Sequence, residues 1–204
     1  MELYQKIHPS KPHILFIGGV HGDEPAGVQL AQDLLLWLID VEKTHPSKIN
    51  ASWTLIPCLN VDGFKKKSRV NGNLVDLNRN FPSHDWNEYA RAPRYYPGPR
   101  AESEIEVKSL VQLIDQTQPQ VIIHFHSWKP AVIYTGAEAR PYAELFASAD
   151  YPPQDDIGHP TPGSLGQYGW YQKKIPVVCI EEKDGTPMES VWAHFEKGFE
   201  RLLL

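Results

Sequence analysis

The sequence predicts an α/β fold, in which a mixed, mostly parallel central sheet is flanked by helices. Two observations lead to this prediction. Short apolar segments alternate along the chain with longer segments of helical periodicity, and strands that alternate with helices usually form parallel sheets. The length of 204 residues is close to that of one ordinary domain. We therefore predict a single domain over residues 1–204.

The N-terminal half is predicted to begin with a strand, a helix and a second strand. Residues 13–20 (HILFIGGV) are apolar and contain two glycines near their end, which indicates a buried strand. Apolar residues recur near helical spacing over residues 26–40, and residues 51–59 form the next apolar run. Residues 60–100 are irregular and rich in Asn, Pro, Gly, Tyr and charge. Because loops of this length in compact domains are usually functional, this segment is a candidate for the site.

The second half continues the alternation of helices and strands. The predicted elements are a helix over residues 102–116, a strand over 120–125, a short helix over 141–148 and a strand over 177–180. The C-terminal helix is predicted to open with a capping box formed by Thr186 and Glu189, with Pro187 at the first helical position.

The composition excludes several classes of protein. Hydrophobic residues make up 41% and charged residues 22% of the chain, which excludes intrinsic disorder. The net charge of -5 argues against a nucleic-acid binder, and no apolar stretch reaches the roughly 18 residues of a membrane span. Cys58 and Cys179 lie far apart in apolar runs, which indicates buried, reduced thiols. The N-terminus lacks the pattern of a secretory signal, so we expect a cytoplasmic protein. From the composition we expect no nucleic-acid, membrane or obligate protein partner.

Residues that bind metals follow the first and third predicted strands. His21 and Glu24 lie three residues apart on the turn into the first helix, and His124 and His126 point to one face of an extended chain. The carboxyl ends of parallel strands meet at one edge of the sheet, where ligands bind. Two histidines and one carboxylate leave a coordination position open, as in catalytic zinc sites. His21 and Glu24 alone are more typical of a capped turn, and the two later histidines alone are equally typical of a polar strand end, but together these motifs predict a zinc site.

Acidic, basic and amide side chains supply the remaining candidates. Two acids, Glu181 and Glu182, follow the last predicted strand, and one of them is expected to face the site as a general base. In the long loop, Arg69 could stabilise an oxyanion, and Asn78 with Arg79 could clamp a free carboxylate. This combination is expected of a zinc hydrolase with an anionic substrate.

Four segments, in the same order, resemble the zinc carboxypeptidases of the carboxypeptidase A type. They are HGDE (21–24), NVDGF through to DLNRNFP (60–82), SEIEVKSLVQLI through to HFHSW (103–128), and VVCIEEK (177–183). The runs GGVHGDEPAG (18–27) and PGSLG (162–166) are most similar to the bacterial murein peptide amidase branch of this family. Members of that branch cleave the bond between γ-D-glutamate and diaminopimelate. The resemblance implies a three-layer sandwich of the phosphorylase/hydrolase-like type.

The resemblance also implies roles for individual residues. One zinc ion would be held by His21, Glu24 and His126, with Asp76 supporting the first histidine. The implied catalytic and substrate-binding residues are Glu181 as the general base, Arg69 as the carbonyl-polarising arginine, and Asn78 and Arg79 as the carboxylate-binding pair. The whole chain would be a zinc peptidase domain that hydrolyses a terminal amide bond next to a free carboxylate, with a muropeptide as the small peptide substrate.

The sequence departs from the family pattern at two places and leaves other functions open. Val61 stands where the family has proline, and the mobile tyrosine of the family has only Tyr168 and Tyr171 as candidates. An ordinary carboxypeptidase that removes a C-terminal L-residue is one alternative. Another is a zinc deacylase of the aspartoacylase or succinylglutamate desuccinylase type, acting on N-acyl amino acids. That group typically lacks the D-G-aromatic step present here at residues 62–64.

Overall fold

The computed structural model describes residues 2–204, which form a mixed sheet of seven strands flanked by helices. The strands are β1 (Tyr4–Lys6), β2 (His13–Ile17), β3 (Ser52–Ile56), β4 (Val121–Trp128), β5 (Ala131–Thr135), β6 (Pro153–Gln154) and β7 (Val177–Lys183). The helices are α1 (Pro25–Thr44), α2 (Val61–Lys66), α3 (Ile105–Thr117), α4 (Arg140–Phe146), α5 (Leu165–Gln167) and α6 (Met188–Leu203). None of the helices within this range has the length and apolar character that a membrane crossing requires.

The strands lie in the order β1-β3-β2-β4-β7-β5-β6. The four central strands are parallel to one another, whereas β1 and β5 run antiparallel to β3 and β7. The chain moves from β2 to β3 on one side and then returns to place β4 on the other. A topological switch point therefore lies between β2 and β4, and the predicted mixed, mostly parallel sheet is confirmed.

The two faces of the sheet are covered by two hydrophobic clusters. Phe16 and Phe125 point to the face covered by α1, α4 and α6, where both rings pack against Phe199 of α6. Their strand neighbours, such as Leu15, point to the other face and pack with α3 and α5. This alternation is the period of two of a β-strand, and each fully buried large side chain contributes roughly 1.5–3 kcal/mol to folding. Helices, sheet and helices thus form three layers, as the resemblance implies.

Two strands extend further than the sequence predicted, and this extension brings the functional residues into the sheet. β4 continues to Trp128 instead of ending at residue 125, and β7 continues to Lys183 instead of ending at residue 180. The two strands pair with each other over this extra length, and β5 pairs with β7 from the other side. These hydrogen bonds keep the polar ends of both strands extended.

Three strands and two helices, α2 and α5, were not predicted. β1 is exposed and polar and β6 has only two residues, so neither has the apolar pattern of a central strand. β5 has the apolar sequence AVIYT, but it is only partly buried and lies near the sheet edge. The helix α2 begins inside the predicted irregular stretch, because the Asn60 side chain caps it by accepting from the Gly63 N–H at 2.9 Å.

The predicted capping box at the start of the last helix is wrong. α6 begins at Met188, and Pro187 is its N-cap residue, with no side-chain cap hydrogen bond. The Thr186 hydroxyl donates instead to the Glu182 carboxylate at 2.9 Å and to the Lys183 carbonyl oxygen at 2.9 Å. The buried carboxylate therefore competes successfully for the hydroxyl that was expected to cap the helix.

Gly22 packs directly against the backbone of α2. A Cβ atom at this position would overlap the carbonyl carbon of Gly63 and the amide nitrogen of Phe64. The turn between His21 and Glu24 therefore requires glycine at this position.

The Gly22→Ala substitution is expected to lower the free energy of unfolding by about 3 kcal/mol, because neither backbone segment can move without disturbing the core. Denaturant unfolding measures this change. Gly72→Ala is the matched control, since the new Cβ would meet only the end of the flexible Asp62 side chain, at 2.7 Å. Equal stabilities of the two variants would contradict the close packing of this turn.

Candidate active site

The site lies where parallel α/β sheets bind ligands, at the carboxyl ends of the central strands next to the switch point. His21 follows β2 on the turn that leads into α1, and Glu24 is the residue before that helix. His126 belongs to the end of β4, and Glu181 lies directly opposite it on β7. The sheet thus brings together side chains that are far apart in the sequence.

Three predicted ligands converge on one point. The Glu24 carboxylate lies 2.8 Å from His21 Nδ1 through Oε1 and 2.7 Å from His126 Nδ1 through Oε2. The two Nδ1 atoms are 3.0 Å apart. Two imidazole nitrogens and a carboxylate that face one another in this way are the donors that zinc prefers, and both histidines are buried. The residues present therefore fit a zinc ion.

The remaining ring nitrogens of the two histidines are also engaged. His21 Nε2 lies 3.1 Å from Asp76 Oδ1, and His126 Nε2 lies 2.9 Å from His124 Nδ1. Such partners fix the orientation and tautomer of metal-binding histidines. Burial disfavours the charge on Asp76, but His21 and the Arg69 guanidinium outweigh this effect and hold the pKa of Asp76 well below its usual range. The motif alone left His124 and His126 open, and the resemblance implied His126; the geometry also favours His126 as the ligand.

Two neighbouring acids on β7 point to opposite faces of the sheet. Glu181 shares a face with His126 and is only 5% exposed, and its Oε2 has no hydrogen-bond partner among the described residues. Burial, together with the negative charge of Glu24, raises the pKa of Glu181. A carboxylate that is buried beside the ligands and favours binding a proton suits a general base.

The Glu182 side chain, by contrast, forms its hydrogen bonds on the opposite face of the sheet. Its carboxylate accepts hydrogen bonds from the Tyr151 hydroxyl and the Thr186 hydroxyl, and lies 2.8 Å from His194 Nδ1. The geometry therefore favours Glu181 as the acid that serves the site.

The predicted anion-binding residues surround Asp76. Arg69 donates to Asp76 Oδ2 through Nε at 2.9 Å and to Glu24 through a terminal nitrogen at 3.3 Å. The Asn78 side-chain oxygen accepts from the Leu165 N–H at 2.9 Å, which fixes the orientation of the amide. Arg79 is only 7% exposed and forms no ion pair within residues 2–204. A buried cation without a counterion is suited to an anionic ligand.

The three candidate ligands, Glu181 and the three candidate anion-binding residues line one cavity of about 400 Å³, which is ample for a small peptide. The cavity also contains three residues of the long loop that the sequence did not single out as functional: Arg91, Arg94 and Tyr95. Neither candidate for the mobile tyrosine belongs to its lining. Tyr168 stacks on Phe81 with ring centroids 5.8 Å apart, and Tyr171 packs on His84 at 4.9 Å. Tyr95 is the tyrosine that reaches the cavity.

Known proteins share sequence and fold with this chain. The model of the zinc carboxypeptidase family matches residues 4–176. Murein peptide amidase A of Escherichia coli K12 is 31% identical over 166 residues, which cover 76% of this chain and 64% of that protein. The chain therefore spans less than two thirds of that relative.

Solved structures share the fold. The crystal structure of the murein-tripeptide amidase MpaA from Escherichia coli O157 superposes with a TM-score of 0.75 and 25% identity, covering 94% of this chain and 83% of that one. Bovine thrombin-activatable fibrinolysis inhibitor superposes with a TM-score of 0.79 and 17% identity, covering 94% and 80%.

The family match includes the three candidate ligands and the three candidate anion-binding residues, whereas Glu181 lies beyond its end. The resemblance that the sequence motifs predicted is confirmed over most of the chain. This protein therefore belongs to the zinc carboxypeptidase family.

Proposed function

We propose that this protein is a zinc-dependent metallopeptidase that hydrolyses a terminal amide bond next to a free carboxylate in peptides derived from peptidoglycan. The observation that carries this proposal is the convergence of His21, Glu24 and His126 beside the buried acid Glu181. The substrate class is supported by the murein peptide amidases among the relatives. The bond between γ-D-glutamate and diaminopimelate is the proposed target, and removal of a C-terminal L-residue is the nearest variant of this activity.

One zinc ion is proposed to be held by His21 Nδ1, His126 Nδ1 and the Glu24 carboxylate. When bound, it would act as a Lewis acid toward a carbonyl oxygen and increase the acidity of water. Asp76 and His124 would keep the two histidine rings in the orientation that these contacts need.

The chain supplies the proton transfer and the charge stabilisation. Glu181 would take a proton from the attacking water and give it to the nitrogen of the leaving group, because its raised pKa suits both steps. Arg69 would donate to the oxygen that becomes negative as the carbonyl is attacked. Asn78 and Arg79 would hold the free carboxylate of the residue that leaves, which limits cleavage to the end of a chain.

A zinc deacylase acting on N-acyl amino acids is not favoured. The matching family is that of the zinc carboxypeptidases, and two of the relatives reported above are peptide amidases by name. The two activities differ in the substrate that is cut, so they can be tested side by side.

The test is incubation of the zinc-loaded protein with L-alanyl-γ-D-glutamyl-diaminopimelate and, separately, with N-acetyl-aspartate, followed by mass spectrometry. We expect release of diaminopimelate from the tripeptide. A chelator should abolish this release, and added zinc should restore it, because the three donor groups are Lewis bases and cannot themselves activate the water or the carbonyl. Cleavage of N-acetyl-aspartate alone would favour the deacylase, and an intact tripeptide would contradict the proposed target.

A further inference from the structure

Four guanidinium groups surround the ring of Tyr95 in the cavity. Their Cζ atoms lie 4.1 Å (Arg91), 5.1 Å (Arg69), 5.6 Å (Arg94) and 5.9 Å (Arg79) from the ring centroid. The proposed function uses only Arg69 and Arg79. The other two arginines belong to the loop after the DLNRNFP segment and have no role in the reaction described above.

The positive charge around this ring is only partly compensated. Arg69 pairs with Asp76 and Glu24, and Arg94 pairs with Asp23 at 3.0 Å. Arg79 and Arg91 form no ion pair within residues 2–204. Burial lowers the pKa of Arg79, and the charges of Arg69 and Arg91 act in the same direction against the opposing effect of Asp76. Because Arg79 and Arg91 have no counterion within this range and lie on the same side of the cavity, this side favours a ligand with more than one negative charge.

The loop that carries Arg91 and Tyr95 is held in place on the site. The Tyr96 carbonyl oxygen accepts from the Asp76 N–H at 2.8 Å, and the Asn80 side chain donates to the Pro97 carbonyl oxygen at 2.7 Å. The ion pair between Arg94 and Asp23 ties the loop to the turn that carries two of the candidate ligands. Arg91 is therefore presented at the cavity by an ordered segment, while its exposed side chain can still reach a ligand.

We propose that Arg91, stacked on Tyr95 and assisted by Arg94, forms a second anion subsite for another carboxylate of the residue that leaves. This inference rests on the proposed function and specifies its substrate, which would be an amide of an amino acid with two carboxylates. The first carboxylate would bind to Asn78 and Arg79 in the interior. The second would lie at the more open end of the cavity, where Arg91 is exposed and forms no ion pair with the described residues.

The test compares two free amino acids that differ by the second carboxylate. meso-Diaminopimelate has the carbon chain of lysine with an added carboxylate at its far end. Calorimetric titration of the zinc-loaded protein is expected to show about tenfold tighter binding of diaminopimelate than of L-lysine. Arg91→Met should remove most of this preference by weakening diaminopimelate alone. Arg100→Met is the control, because Arg100 is exposed near the end of the same segment and lies outside the cavity lining.

Three results would overturn the subsite: equal binding of the two amino acids, no measurable binding of diaminopimelate to the unmodified protein, or a preference unchanged in Arg91→Met. Thermal unfolding of each variant verifies that it is folded. The hydrolysis assay remains separate, since an Arg91-dependent preference without tripeptide cleavage would keep the subsite and reject the proposed reaction. Cleavage of the tripeptide without an Arg91-dependent preference for diaminopimelate would keep the proposed reaction and reject the subsite.

Discussion

The Glu181→Gln variant is expected to hydrolyse the tripeptide about 10²- to 10⁴-fold more slowly while it still binds zinc. Glutamine has almost the same shape as glutamate, so the packing around this buried side chain should be preserved. The amide cannot take up a proton at the pH of the assay, and the Oε2 atom that has no partner among the described residues loses its basicity. Single-turnover rates and zinc content, measured on the same preparation, separate loss of the base from loss of the metal.

Glu182→Gln is the matched control for this variant. It makes the same chemical change one residue along β7, but on the opposite face of the sheet. We expect its turnover to remain near that of the unmodified protein. Its free energy of unfolding should fall by about 1–3 kcal/mol, because the hydrogen bonds from Tyr151 and Thr186 and the contact with His194 depend on the carboxylate. Full activity in Glu181→Gln, with loss of activity in Glu182→Gln, would move the base to Glu182.

The contrast between these two acids shows what sequence patterns can predict. The central strands were predicted because they are buried on both faces and therefore continuously apolar. The positions of the candidate ligands followed from the geometry of parallel sheets, in which the carboxyl ends meet at one edge. The residues alone left the choice between Glu181 and Glu182 open, and the resemblance implied Glu181. The register, which pairs His126 with Glu181, supports that choice. The register of two distant strands is a tertiary property, and no local pattern encodes it.

The sequence predicted that the loop of residues 60–100 is functional, but it did not identify all of the residues in it that line the cavity. Arg69, Asn78 and Arg79 were identified through their motifs, whereas Tyr95 and Arg91 have no motif of their own. Their position depends on backbone contacts between segments some 20 residues apart, such as that between the Asp76 N–H and the Tyr96 carbonyl oxygen. The strands at the edges escaped prediction for a related reason, since β1 and β6 are exposed and contribute little to the core.

Substitution of the two arginines nearest Asp76 is expected to separate turnover from binding. Arg69→Ala should lower kcat about 10²- to 10³-fold with little change in KM, since an oxyanion donor acts mainly in the transition state. Arg79→Ala should instead raise KM about tenfold or more, because the buried guanidinium would bind the substrate carboxylate before and during the reaction. Steady-state kinetics on the tripeptide measure both effects.

The contact between Arg69 and Asp76 makes a further control necessary for the Arg69→Ala experiment. Its Nε–H group donates to Asp76, which in turn contacts His21, so removal of the guanidinium could also loosen a candidate zinc ligand. Zinc affinity measured by competition with a chelator distinguishes this effect from loss of the oxyanion donor. An Arg69→Ala variant with unchanged zinc affinity and a reduced kcat supports the donor role. A reduced kcat that excess zinc restores would make Arg69 a support for the metal site, and equal, small effects of both arginine substitutions would refute the assignment of either role.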